Sequence, residues 1–389
     1  MNGVDTVERY LLLGLRLGRH VDGFVDAYYG PTELAEQAAE EDAVPPAELA
    51  SQAAALAGDL RLDDERRARW LRAQLAGCET TARRLAGEQI GWAEEVERCY
   101  GVRPSPVPEE RFAAAHERLD AALPGDGELG TRYRSWIEQQ VVPPEKLLPA
   151  AAMFEHELRS RTEALVGLPA GESVELETVE NEPWAAFNYY LGGRRSRVVI
   201  NVDLPVYAFA VPGLVAHEVY PGHHTERSWK EALLVDEGGR LEETILLTGT
   251  PQSVISEGIA MLAPEVAFGG EADAVAAAVY SGLGIDYDET TAAAVREFRD
   301  ATDGLSVNAA YMLHEQGCAE EEVVDYLLRW GLHLRERAEK SIEFLTHPTW
   351  RAYVSCYTSG HELCRRFVDG DTARFRSLLT EQFTPTDLA

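Results

Sequence analysis

Apolar positions in the first 167 residues recur at helical spacing. In "DDERRARWLRAQLAGCETTARRLAG", Trp70, Leu71, Leu75, Cys78 and Leu85 fall near one helix face, and the acids that open the segment favour its N-terminal dipole. Pro- and Gly-containing breaks such as "YYGPTE", "DAVPPAE" and "GVRPSPVPEE" separate these stretches, which predicts a series of about six or seven helices. The pattern changes over residues 172–203, where "LGGRRS" separates two runs rich in β-formers and predicts a β-ribbon turned at the glycines. Helical patterns then resume to the C-terminus. The expected fold class is mainly α (α+β), a large helical fold with one small β-ribbon. It divides into an N-terminal helical half, 1–167, and a second half, 168–389, that carries the ribbon and the chemistry, the two able to form one continuous domain.

Composition narrows the partners. The chain has 389 residues and a formal net charge of −30, which would repel nucleic acid or an anionic membrane surface. Five dispersed cysteines without a C-x-x-C pair argue against a disulfide framework or a thiolate zinc site. With no signal-like N-terminus and no long apolar run, a cytoplasmic protein is expected.

The stretch that departs from these bland patterns is "VAHEVYPGHHTER". His-Glu dipeptides occur at five of the ten histidines, but only His217-Glu218 is followed closely by further histidines, His223 and His224. A zinc helix usually has its second His four positions on. In a regular helix, at ~100° and ~1.5 Å per residue, His223 would face away from His217, and His224 would lie ~10.5 Å along. Pro221 removes a backbone donor and Gly222 tolerates unusual geometry, so the pair is expected to break or bulge the helix where a correction is needed. A hydrolytic zinc site also needs a third protein ligand and an open position. Glu257 in "SVISEGIAMLAPEVAF" is the candidate, a lone acid in an apolar helix that should meet a cation, with Gly258 permitting close approach of another backbone. The alternatives Glu226, Asp236, Glu242 and Glu243 lie in polar surroundings and are expected to be solvated.

With "HEVYPGHH", "SEGIAML" and "YTSGHEL" in that order between about residues 200 and 365, the chain resembles the metallopeptidase-like proteins catalogued as domain of unknown function 885, related in fold to helical zinc peptidases of the carboxypeptidase Taq type. It has Ile259 where that family prefers Trp and Leu262 where an aromatic is common, which bears on the shape of the substrate pocket. The resemblance implies one zinc per chain held by His217, His223 and Glu257, with Glu218 as general base and Tyr357 as a further catalytic group. His224 could exchange roles with His223 or support it. The implied substrate is a short peptide or a peptide-like amide. On a helix from Tyr357, His361 and Arg365 follow on the same face and could clamp a terminal carboxylate, with Gly360 giving access.

Rival readings have weaker signals. A di-iron bundle would need Glu-x-x-His motifs, and no histidine has Glu three positions before it. No G-x-S-x-G is present. A metal-dependent amidase or esterase, or a helical scaffold with a degenerate metal site, would share the histidines, but a scaffold has no need for Glu218. Asn188 and Tyr190 could sit on an edge strand open to an extended peptide, although a packed ribbon is the expectation. Tyr311 and His314 fit a helical core face.

Overall fold

A computed structural model describes residues 3–182, 184–332 and 334–389. It is mainly helical with a small sheet component, as the periodicity predicts. Among the described residues up to 167 there are eight helices, from Gly3–Gly18 to Pro144–Val166, more than expected because the short segments Thr32–Glu40 and Pro46–Asp59 are separate elements. The helix Glu65–Leu85 begins where Asp64 accepts hydrogen bonds from the backbone of Arg66 and Arg67, and it buries Trp70, Leu71, Leu75 and Cys78.

Five strands are named in chain order: β1 (Val25–Tyr28), β2 (Ser173–Val179), β3 (Ala186–Tyr190), β4 (Arg195–Asn201) and β5 (Ile245–Leu247). The predicted ribbon is the antiparallel pair β3–β4, turned through Leu191–Arg194, with β2 added parallel on the other side of β4. The pair β1–β5 was not legible from the pattern. It is antiparallel and short, and joins the N-terminal half to residues just before Glu257. Its positions are half-buried along β1 and fully buried along β5, so neither strand alternates in hydropathy. The halves also share cores: Trp92, Val96 and Tyr100 pack with Leu305, Val324 and Leu327.

The tightest contact at the centre joins two helices, Pro251–Phe268 and Val354–Val368. A Cβ added at Gly258 would lie 2.4 Å from the carbonyl oxygen of Gly360, and one added at Gly360 would lie 2.2 Å from that of Val254. Gly258 therefore does permit backbone approach, as expected. Gly360 serves the same crossing and so does not open its face to substrate. No helix is long and apolar enough to cross a membrane among the described residues.

This crossing sets where Glu257 sits relative to Tyr357. Gly258→Ala should lower unfolding stability by about 1–3 kcal/mol, the usual cost of overpacking, read as a fall in the urea midpoint. An unchanged midpoint would mean that the helices separate without cost.

Candidate metal centre

The first site helix, Val211–Glu218, starts with Pro212 in its first turn and stops just beyond His217. Val219 leaves helical geometry at φ −120°, ψ −86°, and the next helix, His223–Lys230, begins after Gly222. Between them the ladder is replaced by Gly222 N–H to Ala216 O at 3.0 Å and Thr225 N–H to Val219 O at 3.3 Å, each spanning six residues. The chain is drawn so tight that a Cβ on Gly222 would lie 1.9 Å from the carbonyl oxygen of His217. The expected distortion at Pro221-Gly222 is thus present.

Its effect is to bring His223 beside His217, with ring centroids 4.8 Å apart and perpendicular planes. His217 Nε2 lies 3.5 Å from Glu257 Oε2, and His223 Nε2 lies 3.8 Å from Glu257 Oε1. One ligand atom from each of the three residues falls within 4.8 Å of the others. His224 points elsewhere: it is fully buried, with Nδ1 2.8 Å from Ser196 Oγ and Nε2 2.9 Å from Glu172 Oε2. Both its ring nitrogens are engaged, so it braces the helix against the ribbon.

Supporting bonds turn the two close imidazoles the right way. His223 Nδ1 faces Ser256 Oγ at 3.2 Å, while that hydroxyl donates to Glu226 Oε2 at 2.6 Å, so Nδ1 carries the proton and Nε2 its lone pair. The ring of His217 bonds the backbone of Ala260. Burial pushes the His217 pKa down to about 4 and that of His223 well below its ordinary value, so both are neutral near pH 7, the form that binds a metal.

The carboxylates lean the other way. Burial, offset in part by a 2.5 Å hydrogen bond from the Tyr353 hydroxyl, raises the Glu257 pKa to about 8. Its second oxygen, Oε2, is buried with no hydrogen-bond partner among the described residues. Burial first, then the charges of Glu257 and Asp26, raise Glu218 to about 8 as well. Glu218 Oε1 stands 4.0 Å from His217 Nε2, while its backbone carbonyl is held by Asn188 Nδ2 at 2.6 Å. Two neutral imidazoles facing a carboxylate oxygen with no donor fit a divalent cation, which would supply the missing positive charge.

Tyr357 lies close enough for Glu257 and Glu218 to act on it by charge, after burial, in raising its pKa. His361 faces Asp303 instead, at 3.9 Å, and Arg365 is exposed. Those two do not join the cluster. The supposedly solvated acids also differ from expectation: Glu226, Glu242 and Glu243 are buried. Lys230 meets Glu226 at 2.7 Å, Arg67 grips Glu242 through two bonds, and Gln382 donates to Glu243. Only Asp236 is exposed, paired with Arg194. Ile259 and Leu262, the departures from the family pattern, are buried in a core with Cys364 and Phe375. Tyr190 donates to Glu231 inside the protein and Asn188 is turned to Glu218, as a packed ribbon requires. His314 bonds Leu345 O and stacks on Trp92, in keeping with a core face.

Three neighbours escaped sequence reasoning. Tyr353 lies one helical turn before Tyr357 and could have been found from that spacing. Ser256 directly precedes Glu257. Asp26 lies far away in sequence, and no local signal marks it.

No family model and no curated protein matches the chain. Among solved structures it is similar to "the putative lipoprotein from Colwellia psychrerythraea", with TM-score 0.57 and 15% identity over 87% of this chain and 65% of that one. It is also similar to "a putative lipoprotein of unknown function from Shewanella oneidensis", with TM-score 0.52 and 12% identity over 91% of this chain and 74% of that one. The chain therefore spans 65% of the length of the first of these. At such identities the likeness is one of fold.

The two histidines separate in a zinc titration. His223→Ala should weaken zinc binding by about 100-fold or more, the scale expected when one of three ligands is removed. His224→Ala should change it far less while lowering stability. Gly222→Ala should also weaken binding, because its Cβ cannot fit against His217. Equal losses for His223→Ala and His224→Ala would contradict this assignment.

Proposed function

We propose that this chain is a metal-dependent hydrolase, with zinc the expected ion, that cuts peptide bonds in short peptides. The observation that carries the reading is the donor set itself: two neutral imidazoles turned toward a carboxylate whose Oε2 has no partner, with a second carboxylate, Glu218, beside them but outside the set. The order of "HEVYPGHH", "SEGIAML" and "YTSGHEL" supports the same assignment through its resemblance to the metallopeptidase-like family.

His217, His223 and Glu257 would hold the ion. Such an ion polarises a substrate carbonyl and makes water a better acid at neutral pH. The protein's own groups do the rest. Glu218 takes a proton from the attacking water and returns it to the leaving amine. Tyr357, kept protonated by burial, donates a hydrogen bond to the carbonyl oxygen as negative charge builds there. Tyr353 fixes Glu257 through its hydroxyl, and Asn188 fixes the backbone that carries Glu218.

Glu218→Gln tests the shuttle, since the amide keeps the size but cannot accept the proton. The zinc-loaded variant should lose at least about 1,000-fold in kcat on a peptide library, near the effect of losing a general base, while retaining one zinc per chain and an unchanged melting curve. Chelation should abolish wild-type cleavage, and zinc should restore it. Full cleavage in chelator, or zinc lost together with activity in Glu218→Gln, would refute this assignment of roles.

A further inference from the structure

Among the described residues, Arg227 and Lys230 are the two basic side chains, histidines aside, that the fold buries, and it treats them differently. Lys230 is paired, with Nζ 2.7 Å from Glu226 Oε1. Arg227, 8% exposed, forms no ion pair with any described residue. One hydrogen bond fixes it, from Nη2 to Ser256 Oγ at 3.0 Å. A guanidinium taken out of water without a carboxylate is costly, and a chain with 66 acidic residues against 36 basic ones does not lack candidates. The carboxylates nearby are engaged elsewhere. Glu226 accepts from Lys230 on one oxygen and from the Ser256 hydroxyl on the other. Glu231, four residues on, accepts from Tyr190 and from the backbone of Gly193 and Arg194, and Glu243 accepts from Gln382 at 2.8 Å. Asp26 and Glu257 feel the charge of Arg227, but neither forms an ion pair with it.

The guanidinium lies beside the metal centre. Ser256 Oγ, which accepts from Arg227, is also 3.2 Å from His223 Nδ1, so guanidinium and imidazole stand within about two hydrogen-bond lengths, ~6 Å, of each other. Arg227 follows His223 by four residues in the helix His223–Lys230, which puts both on one face, and the His223 ring is partly exposed. Nε and Nη1 of Arg227 are bonded to no described residue, yet they are not sealed in the interior as Nε of Arg194 is. We infer that Arg227 is the anchor for a carboxylate of the substrate, so that the peptides taken carry a carboxylate close to the bond that is cut. This rests on the hydrolase reading above for the cut, but not for the binding. The donors left over on the fork suit a carboxylate, which a guanidinium binds through two parallel hydrogen bonds. An extended peptide advances ~3.3–3.6 Å per residue, so an anchor ~6 Å from the His223 ring selects a carboxylate within one or two residues of the cut. A C-terminal carboxylate and an acidic side chain both meet that description. The role that helix spacing suggests for Arg365 falls to Arg227, because Arg365 is exposed and outside the cluster.

The test uses the zinc-loaded full chain and four peptides: tetra-alanine, its C-terminal amide, and two amidated peptides that end in Glu or in Gln after three alanines. Wild type should cleave a carboxylate-bearing peptide with kcat/KM at least about tenfold above its neutral twin, as expected for one charge pair. A loss on amidating tetra-alanine assigns the carboxylate to the chain terminus, whereas a preference for Glu over Gln in the amides assigns it to a side chain. In Arg227→Gln the ratio of charged to neutral twin should fall toward one, while Arg227→Lys should keep part of it. Titrated calorimetrically into zinc-loaded Glu218→Gln, the four peptides should bind in the same order. Equal handling of both pairs of twins by wild type overturns the proposal without any variant. So does a preference that survives in Arg227→Gln, which would put the carboxylate on the metal, and so does zinc lost from both Arg227 variants, which would make Arg227 a brace for His223 through Ser256. Carboxylate-selective binding without hydrolysis would defeat the hydrolase reading and leave Arg227 its role. Hydrolysis without carboxylate selectivity would do the reverse, and failure of all four peptides to bind or be cut would defeat both.

Discussion

The centre depends on the close approach of Gly222 to the carbonyls of Ala216 and His217. No side chain fits there, because even a Cβ would overlap His217 O at 1.9 Å. Because the chain folds back through that gap, His223 reaches the side of His217 instead of pointing away, and His224 is turned toward Glu172 and Ser196. A second contact without side chains, Gly258 against Gly360, lets the helix bearing Glu257 lie directly on the helix bearing Tyr357. Both positions exploit the missing Cβ and neither requires an unusual φ. They convert two sequence-distant segments into one cluster, and larger residues at either would move ligands by more than a metal site tolerates.

Burial alone does not explain the electrostatics, since this protein buries many acids and treats them in two ways. Glu172 is raised by burial, but bonds from His224, Tyr220 and Arg159 outweigh that and bring it down to about 2. Glu226, with Lys230 and Arg227 near it, also ends at about 2 despite burial. Glu218 receives no cation, and Glu257 only the distant charge of Arg227 and a hydrogen bond from Tyr353, and both rise to about 8. Other acids, Glu243 among them, are also raised by burial, so what sets Glu257 apart is the combination of a raised carboxyl, an oxygen with no hydrogen-bond partner among the described residues and two neutral imidazoles beside it. The two groups are also wired together: Ser256 Oγ accepts from Arg227, donates to Glu226 and orients His223, so the satisfied acids hold the unsatisfied site in shape.

The legible part of this site was the part encoded locally. "HEVYPGHH" displays its histidines, Glu218 and its helix breaker within eight residues, and an apolar helix interrupted by one acid displays Glu257. The choice between His223 and His224 was not legible, because it depends on how far the backbone closes at Gly222, which spacing alone leaves open. Burial of Glu226, Glu242 and Glu243 was missed for a related reason: polar neighbours in sequence suggested solvent, whereas their partners include Arg67 and Gln382, far away along the chain. The β1–β5 pair was hidden because its strands are short and do not alternate.

That pairing also answers what the N-terminal half contributes. Eight helices that carry no recognisable motif still place one strand against β5, four residues before the helix of Glu257 begins. Gly77 reinforces the junction, since a Cβ there would lie 2.4 Å from the carbonyl oxygen of Gly249. β1 is therefore fixed to the same short segment that leads into the helix of Glu257. The two halves are thus joined beside the segment that carries Glu257, through β1–β5, through Gly77 against Gly249 and through the shared core of Trp92, Val96 and Tyr100 with Leu305, Val324 and Leu327.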